Sequence, residues 1–312
     1  MSDREEIVSR VTTALNGRPS PVAIRNARKV DARGEQRGYW VVSDASGVIV
    51  ASGTGEETFE HYCRAVGIDP ADRGAVIDAQ GRILTPGYVD IHAHGAWERS
   101  FDDGSDGIDV ARAGHAVHGT TRQVLSLITN PVDVICRNIR TVRDKMESGR
   151  PDILGCHLEG PFLALARKGA HDPECLKDPV PEIVDEMLEA SGASSGKPGC
   201  IRQITIAPEL PHGIGAIRQF AAAGVVPAVG HCDADYETAK AGFDAGAGIM
   251  THMFNAMNGL HHREPGPIPA AVEDPRVTIE LINDGFHVQN PMVRLSFRFA
   301  PHRTAFVTDA MA

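Results

Sequence analysis

From residue 86 onward the chain repeats one local pattern, a short apolar strand-like run followed by a connecting or helical stretch. The runs are "YVDIHAH", "TTRQVLSLIT", "DILGCHLEG", "QITIAPE", "VVPAVGHCD", "AGIMTHMFNAM", "RVTIELINDGFHV" and "TAFVTDA". Stretches such as "PVDVICRNIRTVRDKMESG" and "HGIGAIRQFAAAG" carry apolar residues at helical spacing between them. Eight strands in repeated β-then-α order predict a closed parallel (β/α)8 barrel of the α/β class. A doubly wound open sheet is the competing architecture, but no glycine-rich nucleotide loop follows the first strand.

Residues 1–85 have a different texture. Ile7, Val8, Val11 and Leu15 recur at helical spacing and predict a short amphipathic helix, with Gly17 suited to follow its last turn. The runs "PVAIRNARKVD", "GYWVVSD", "GVIVASG" and "GAVIDAQGRILTPG" predict a few antiparallel strands of a small β domain. The division expected is therefore 1–85 for the helix and small β domain and 86–312 for the barrel.

Composition restricts the partners. The 312 residues carry a formal charge of −10 and no Lys/Arg-rich run, which argues against nucleic acid and anionic membrane. A small anionic substrate remains compatible, since one local cation and a few backbone amides suffice for a phosphate. Six cysteines are scattered without a C-x-x-C pair and read as thiols in a reducing compartment. The acidic, polar start is no signal peptide, and no apolar run approaches roughly 18 residues. A cytoplasmic protein is expected.

The polar residues at the predicted strand ends carry the chemistry, because a (β/α)8 barrel builds its site there. "VDIHAHG" sets His92 and His94 two apart on a strand, projecting from one face. They are either half of a metal site or two histidines on a solvated strand edge. Glu159 ends "GCHLEG" as a buried carboxylate needing a cation, or as a helix-capping acid. His157, on the same face, reads better as a core histidine than as a ligand. His231 and His252 each end a strand. Together with Glu159 and the His-x-His pair they meet the requirement of three protein ligands and an open water position for catalytic zinc. Asp309 would then be the general base. His287 either holds substrate or is structural. No G-x-S-x-G elbow and no activated cysteine supports nucleophilic catalysis instead.

A strand-borne His-x-His, later strand-end histidines and a final strand-end Asp resemble the amidohydrolase superfamily. The segments "PGYVDIHAHG", "HLEGPFL", "KGAHDP", "VGHCDA", "THMFNAM", "REPG", "NDGFHV" and "VTDAM" are similar to the N-acetylglucosamine-6-phosphate deacetylase family within it, from about residue 80 to the last residue. The resemblance implies Glu159, His231 and His252 as ligands of a primary divalent metal. His92 and His94 would support a second ion. Zinc is the metal implied, with iron, manganese or cobalt as alternatives.

The same resemblance makes Asp309 the catalytic acid/base, which would pass a proton from the attacking water to the departing nitrogen. It assigns Ala170 and His171 to substrate, His171 near the acetamide. Asn255, Ala256, Arg263 and His287 would contact the sugar and its 6-phosphate. Arg263 would reach the neighbouring subunit's site, implying a homodimer.

The expected activity is hydrolysis of N-acetylglucosamine 6-phosphate to glucosamine 6-phosphate and acetate, in amino-sugar catabolism or cell-wall recycling. Another amidohydrolase reaction, on a cyclic amide or a different N-acetyl sugar phosphate, is the enzymatic alternative. Members of the family continue past the matching Asp with a last helix, a further loop and strands of the small β domain. Ending at Ala312 is thus expected to leave the β domain with unpaired edges and an uncovered apolar face. An inactive truncated remnant that binds metal or sugar phosphate is the third reading.

Overall fold

The computed structural model describes residues 3–194 and 198–312. The chain forms two compact units, one of residues 13–88 and one of residues 89–312 with the chain's start up to Thr12.

Helix α1 (Asp3–Asn16) opens the chain. In the smaller unit, β1 (Val22–Asp31), β2 (Gly34–Ser43) and β3 (Ile49–Thr54) pair antiparallel, helix α2 (Glu56–Ala65) follows, and β4 (Val76–Asp78) and β5 (Ile83–Leu84) return. The last two pair parallel to β1, so the sheet is mixed and not the antiparallel set the turns suggested. Parallel pairing needs a crossover, and α2 supplies it between β3 and β4. Phe59 and Cys63 of α2 pack on Ala23, Trp40, Val42 and Val76 as the core of this unit. Elsewhere on the sheet Ile49, Ile77 and Ile83 are 63, 51 and 57% exposed.

The larger unit begins with β6 (Tyr88–Asp90) and a two-stranded hairpin, β7 (Gly95–Ala96) and β8 (Arg99–Ser100). Then α3 (Gly104–Ala116), β9 (Thr120–Ile128), α4 (Val132–Glu147), β10 (Ile153–Glu159), α5 (Pro181–Ala190) and β11 (Ile201–Ile206) alternate. The pattern continues with α6 (Gly213–Ala222), β12 (Val226–Val229), α7 (Tyr236–Asp244), β13 (Ile249–Met250), α8 (Ile268–Glu273), β14 (Thr278–Ile282), α9 (Asn290–Phe299) and β15 (Thr304–Val307). All eight runs read from the sequence become strands, in sheet order β6, β9, β10, β11, β12, β13, β14, β15. Beyond the strand tips the first and last close on one another. Asp309 N donates to the His92 carbonyl at 2.9 Å, and His94 N to the Ala310 carbonyl at 2.8 Å.

Period-two alternation sorts these strands' side chains. Cys156 and Leu158 of β10, Ile204 and Ile206 of β11 and Ile279 of β14 join the apolar layer that includes Ile135, Ile139 and Val142 of α4 and Ile217 and Phe220 of α6. Their alternates point inward: His157 and Glu159, Gln203 and Thr205, and Glu280. The interior is correspondingly polar and cross-linked. Ser126 Oγ lies 2.9 Å from His157 Nδ1, His157 Nε2 2.9 Å from Thr205 Oγ1, and Thr205 Oγ1 2.9 Å from Thr251 Oγ1.

Candidate metal centre

Glu159 is the hub of the barrel mouth. It ends β10, and its side chain is 4% exposed. Its Oε1 lies 3.3 Å from His92 Nε2, 3.2 Å from His231 Nε2 and 3.1 Å from His252 Nε2. Its Oε2 lies 2.9 Å from His94 Nε2 and 3.3 Å from His171 Nε2. Asp309 meets two of the same rings, its Oδ1 3.3 Å from His92 Nε2 and 3.6 Å from His94 Nε2.

Two groups able to hold a metal ion result, His92–His94–Glu159–Asp309 and Glu159–His231–His252, each with donor atoms within 4.8 Å of one another. Glu159 belongs to both. His92 and His94 do not lie on a strand as the two-residue spacing suggested. β6 ends at Asp90, and the pair sits in the loop beyond it. Backbone bonds to Ala310 and Asp309 hold that loop, and these tertiary contacts replace the pleat in aiming both rings at Glu159.

The hydrogen bonds behind the rings decide which nitrogen faces the centre. His231 Nδ1 donates to the Arg167 carbonyl at 2.7 Å, so the neutral ring presents a bare Nε2 to Glu159. His92 Nδ1 lies 3.1 Å from the Glu280 carboxylate, which can only accept, so the neutral ring likewise presents a bare Nε2. Thr129 Oγ1 donates to the Glu159 carbonyl at 3.0 Å and therefore accepts from His171 Nδ1 at 2.8 Å. With these rings neutral, lone pairs face lone pairs. His231 Nε2 and His252 Nε2 are 3.0 Å apart, and buried His92 Nε2 finds no hydrogen-bond partner among the described residues. Such a set is satisfied by a cation, and imidazole nitrogens with carboxylates suit zinc and similar borderline ions.

The electrostatics favour positive charge at this centre. Burial opposes ionisation of Glu159, yet His92 and His231 outweigh it and hold the carboxyl well below the ordinary range. Burial also opposes charge on His92, but the carboxylates of Glu159, Glu280 and Asp309 raise it well above the usual histidine value. His157 goes the other way, pushed down by burial and by neighbouring His92.

Backbone strain concentrates here. His231, His252 and Asp309 all have left-handed φ, at 46°, 26° and 47°. Each such residue costs on the order of 1–3 kcal/mol, tolerated where surrounding structure over-determines it.

The remaining predicted residues lie at varied places. Asn255 donates to the His252 carbonyl at 3.3 Å, and Ala256, half-buried, has φ 49° in the same turn. Ala170 is exposed, one residue before buried His171. Arg263 is exposed and lines a groove of about 840 Å³ with Arg167, Asp233 and Asn258. His287 is exposed, its Nδ1 held by Asp284 Oδ2 at 2.7 Å. Sequence reading missed Glu280, Gln203, Thr129 and Arg167. Inward parity on β14 and β11 was the available signal for the first two; nothing local marked the others.

The class that this barrel and its mouth define is that of the amidohydrolases. The chain belongs to the amidohydrolase family, which matches residues 83–301. It is 36% identical to N-acetyl-D-glucosamine-6-phosphate deacetylase from Mycobacterium smegmatis, whose crystal structure matches at TM-score 0.80 over 93% of this chain and 77% of that one. A variant of that enzyme solved in complex with N-acetyl-D-glucosamine-6-phosphate is 35% identical, at TM-score 0.77 over 94% of this chain and 71% of that one. The N-acetylgalactosamine-6-phosphate deacetylase of Escherichia coli O157:H7 is 33% identical over 240 residues, 76% of this chain and 62% of that protein. The chain thus matches less than two thirds of that curated relative's length.

Proposed function

We propose that this protein is a metal-dependent deacetylase that hydrolyses the acetamide of N-acetyl-D-glucosamine 6-phosphate, giving glucosamine 6-phosphate and acetate. Its place would be amino-sugar catabolism or cell-wall recycling, in the cytoplasm. The observation that carries this reading is the sharing of Glu159 between two donor groups, in a chain about one third identical to deacetylases of sugar phosphates. Among the described residues, no helix is long and apolar enough to cross a membrane.

Glu159, His231 and His252 would hold the primary ion, and His92 and His94 a second one with Glu159 and Asp309. Zinc fits best, and iron, manganese or cobalt are compatible with the same donors. When bound, the metal supplies Lewis acidity to the acetamide carbonyl and acidifies water.

The chain's own residues do the rest. Asp309 is 19% exposed, against 0–6% for the other side chains of the two groups, so it is the member open to a substrate. It takes the proton of the attacking water and returns it to the departing amine nitrogen. His171, with Nδ1 bound to Thr129, offers Nε2 as acceptor for the acetamide N–H. Asn255, Ala256 and His287 contact the sugar. Among the described residues the exposed Arg263 guanidinium makes no ion pair, which leaves it available to a phosphate dianion. We assign it to the neighbouring subunit's site in a homodimer.

The Escherichia coli relative's name favours a second reading, the galactosamine epimer as substrate. Acetate release by metal-loaded protein from each of the two sugar phosphates tests both. No release from either, with metal bound, refutes the assignment.

A further inference from the structure

One buried carboxylate is not used by the chemistry above. Glu280, inward on β14, is 0% exposed. Its Oε2 lies 3.1 Å from His92 Nδ1 and accepts more weakly from the His252 backbone N–H at 3.4 Å. Its Oε1 accepts from Gln203 Nε2 at 2.7 Å. One fully buried side chain therefore sits directly behind a member of each metal-competent group.

We infer that Glu280 is the positioning residue that allows the His92–His94 group to hold a second divalent ion alongside the first. The inference rests on the metal reading proposed above, and the physical case has two parts.

The first is proton placement. A carboxylate behind Nδ1 can only accept, so in the neutral ring that ligates a cation the imidazole proton stays there and Nε2 keeps its lone pair toward Glu159 and Asp309. Were that proton on Nε2, His92 would donate to those carboxylates and could not ligate. The second part is charge. Two divalent ions bring four positive charges into the mouth, where Glu159 and Asp309 bring two negative ones. Glu280 adds a third negative charge within the same polar interior, where screening by water is weak.

The substitution Glu280→Gln separates these effects from mere packing, because it is nearly isosteric. Its amide oxygen can still accept from Gln203, but its NH2 group then faces His92 Nδ1. The strain is relieved when the imidazole proton moves to Nε2, which restores the hydrogen bond to His92, leaves only the long contact from the His252 N–H unmet, and blocks ligation. The variant should fold, keep the Glu159–His231–His252 ion and lose the other.

The test is a cobalt(II) titration of the metal-stripped full chain, read by visible absorption and bound-metal content, with a thermal melt for folding. The parent should bind two ions and Glu280→Gln one, with the second dissociation constant raised about 100-fold or more. Glu280→Asp keeps the charge but withdraws it from Nδ1, and should weaken the second ion by about 10-fold. It carries the test if Glu280→Gln does not fold. Two ions bound at parental affinity by either folded variant would overturn the inference. So would a parent that binds one ion, unchanged by the substitutions. A parent that binds no cobalt at all overturns the metal reading itself.

Discussion

Asp309 and His92 meet twice. The Asp309 backbone N–H donates to the His92 carbonyl at 2.9 Å, and the Asp309 carboxylate lies 3.3 Å from His92 Nε2. The first contact joins the eighth barrel strand to the first, and the second places a carboxylate beside a ring of the candidate metal centre. Closing the barrel and assembling the site are one event, and neither residue is positioned without the other.

Asp309→Asn separates the two contacts. The backbone bond survives and the proton-accepting carboxylate is lost. Acetate release should fall by about 10²–10⁴-fold while the melting temperature and the ion held by Glu159, His231 and His252 persist. Single-turnover kinetics with parallel metal analysis checks this, and undiminished release would remove Asp309 from the chemistry.

The Arg263 assignment predicts complementation. Arg263→Ala alone should raise KM for the phosphorylated sugar far more than it lowers kcat. Mixed and reassembled with Asp309→Asn, it should regain activity, because one site of each mixed dimer then has both groups. A mixture no more active than its parts would place Arg263 outside the neighbouring site.

Gly160 follows Glu159 with φ 89°, and a Cβ there would collide with Thr129 Oγ1. That hydroxyl holds both the Glu159 carbonyl and His171. Gly160→Ala should cost about 1–3 kcal/mol of stability from the backbone alone. Chemical denaturation will read that loss, and metal titration should show weaker binding because Glu159 is displaced.

At the start of β10, buried Asp152 accepts from Arg112 at 3.1 Å and from Arg150 at 2.9 Å. Burial raises its pKa, but Arg150 and then Arg112 outweigh it and hold the carboxyl below the ordinary range. A depressed folded-state pKa contributes stability above the unfolded value, near 4, that is lost as pH falls through the folded one. The wild type should therefore lose stability steeply on the acid side, and Asp152→Asn should flatten that limb. Removing the partner outright in Asp152→Ala should cost about 3–5 kcal/mol at neutral pH. Melts across pH 2–7 decide the matter.

Much of this protein was legible one residue at a time. Eight strand runs can be read because β-branched and apolar residues cluster in short segments separated by Gly and Pro, a local signal. Glu159, His231, His252 and Asp309 stand out because ionisable groups at the tips of buried strands are costly without a partner. The loop position of His92 and His94 was not legible, since spacing alone cannot tell a strand from the extended chain beyond it.

Residue type and order by themselves determined the barrel and the kinds of atoms at its mouth. Only the tertiary structure decided which nitrogens point at Glu159. Those choices depend on Glu280, Arg167 and Thr129, which lie 188, 64 and 42 positions from His92, His231 and His171. A hydrogen bond across the barrel has no period, and nothing near either partner in sequence announces it. The same holds for β4 and β5, whose parallel pairing to β1 is set by where α2 returns the chain.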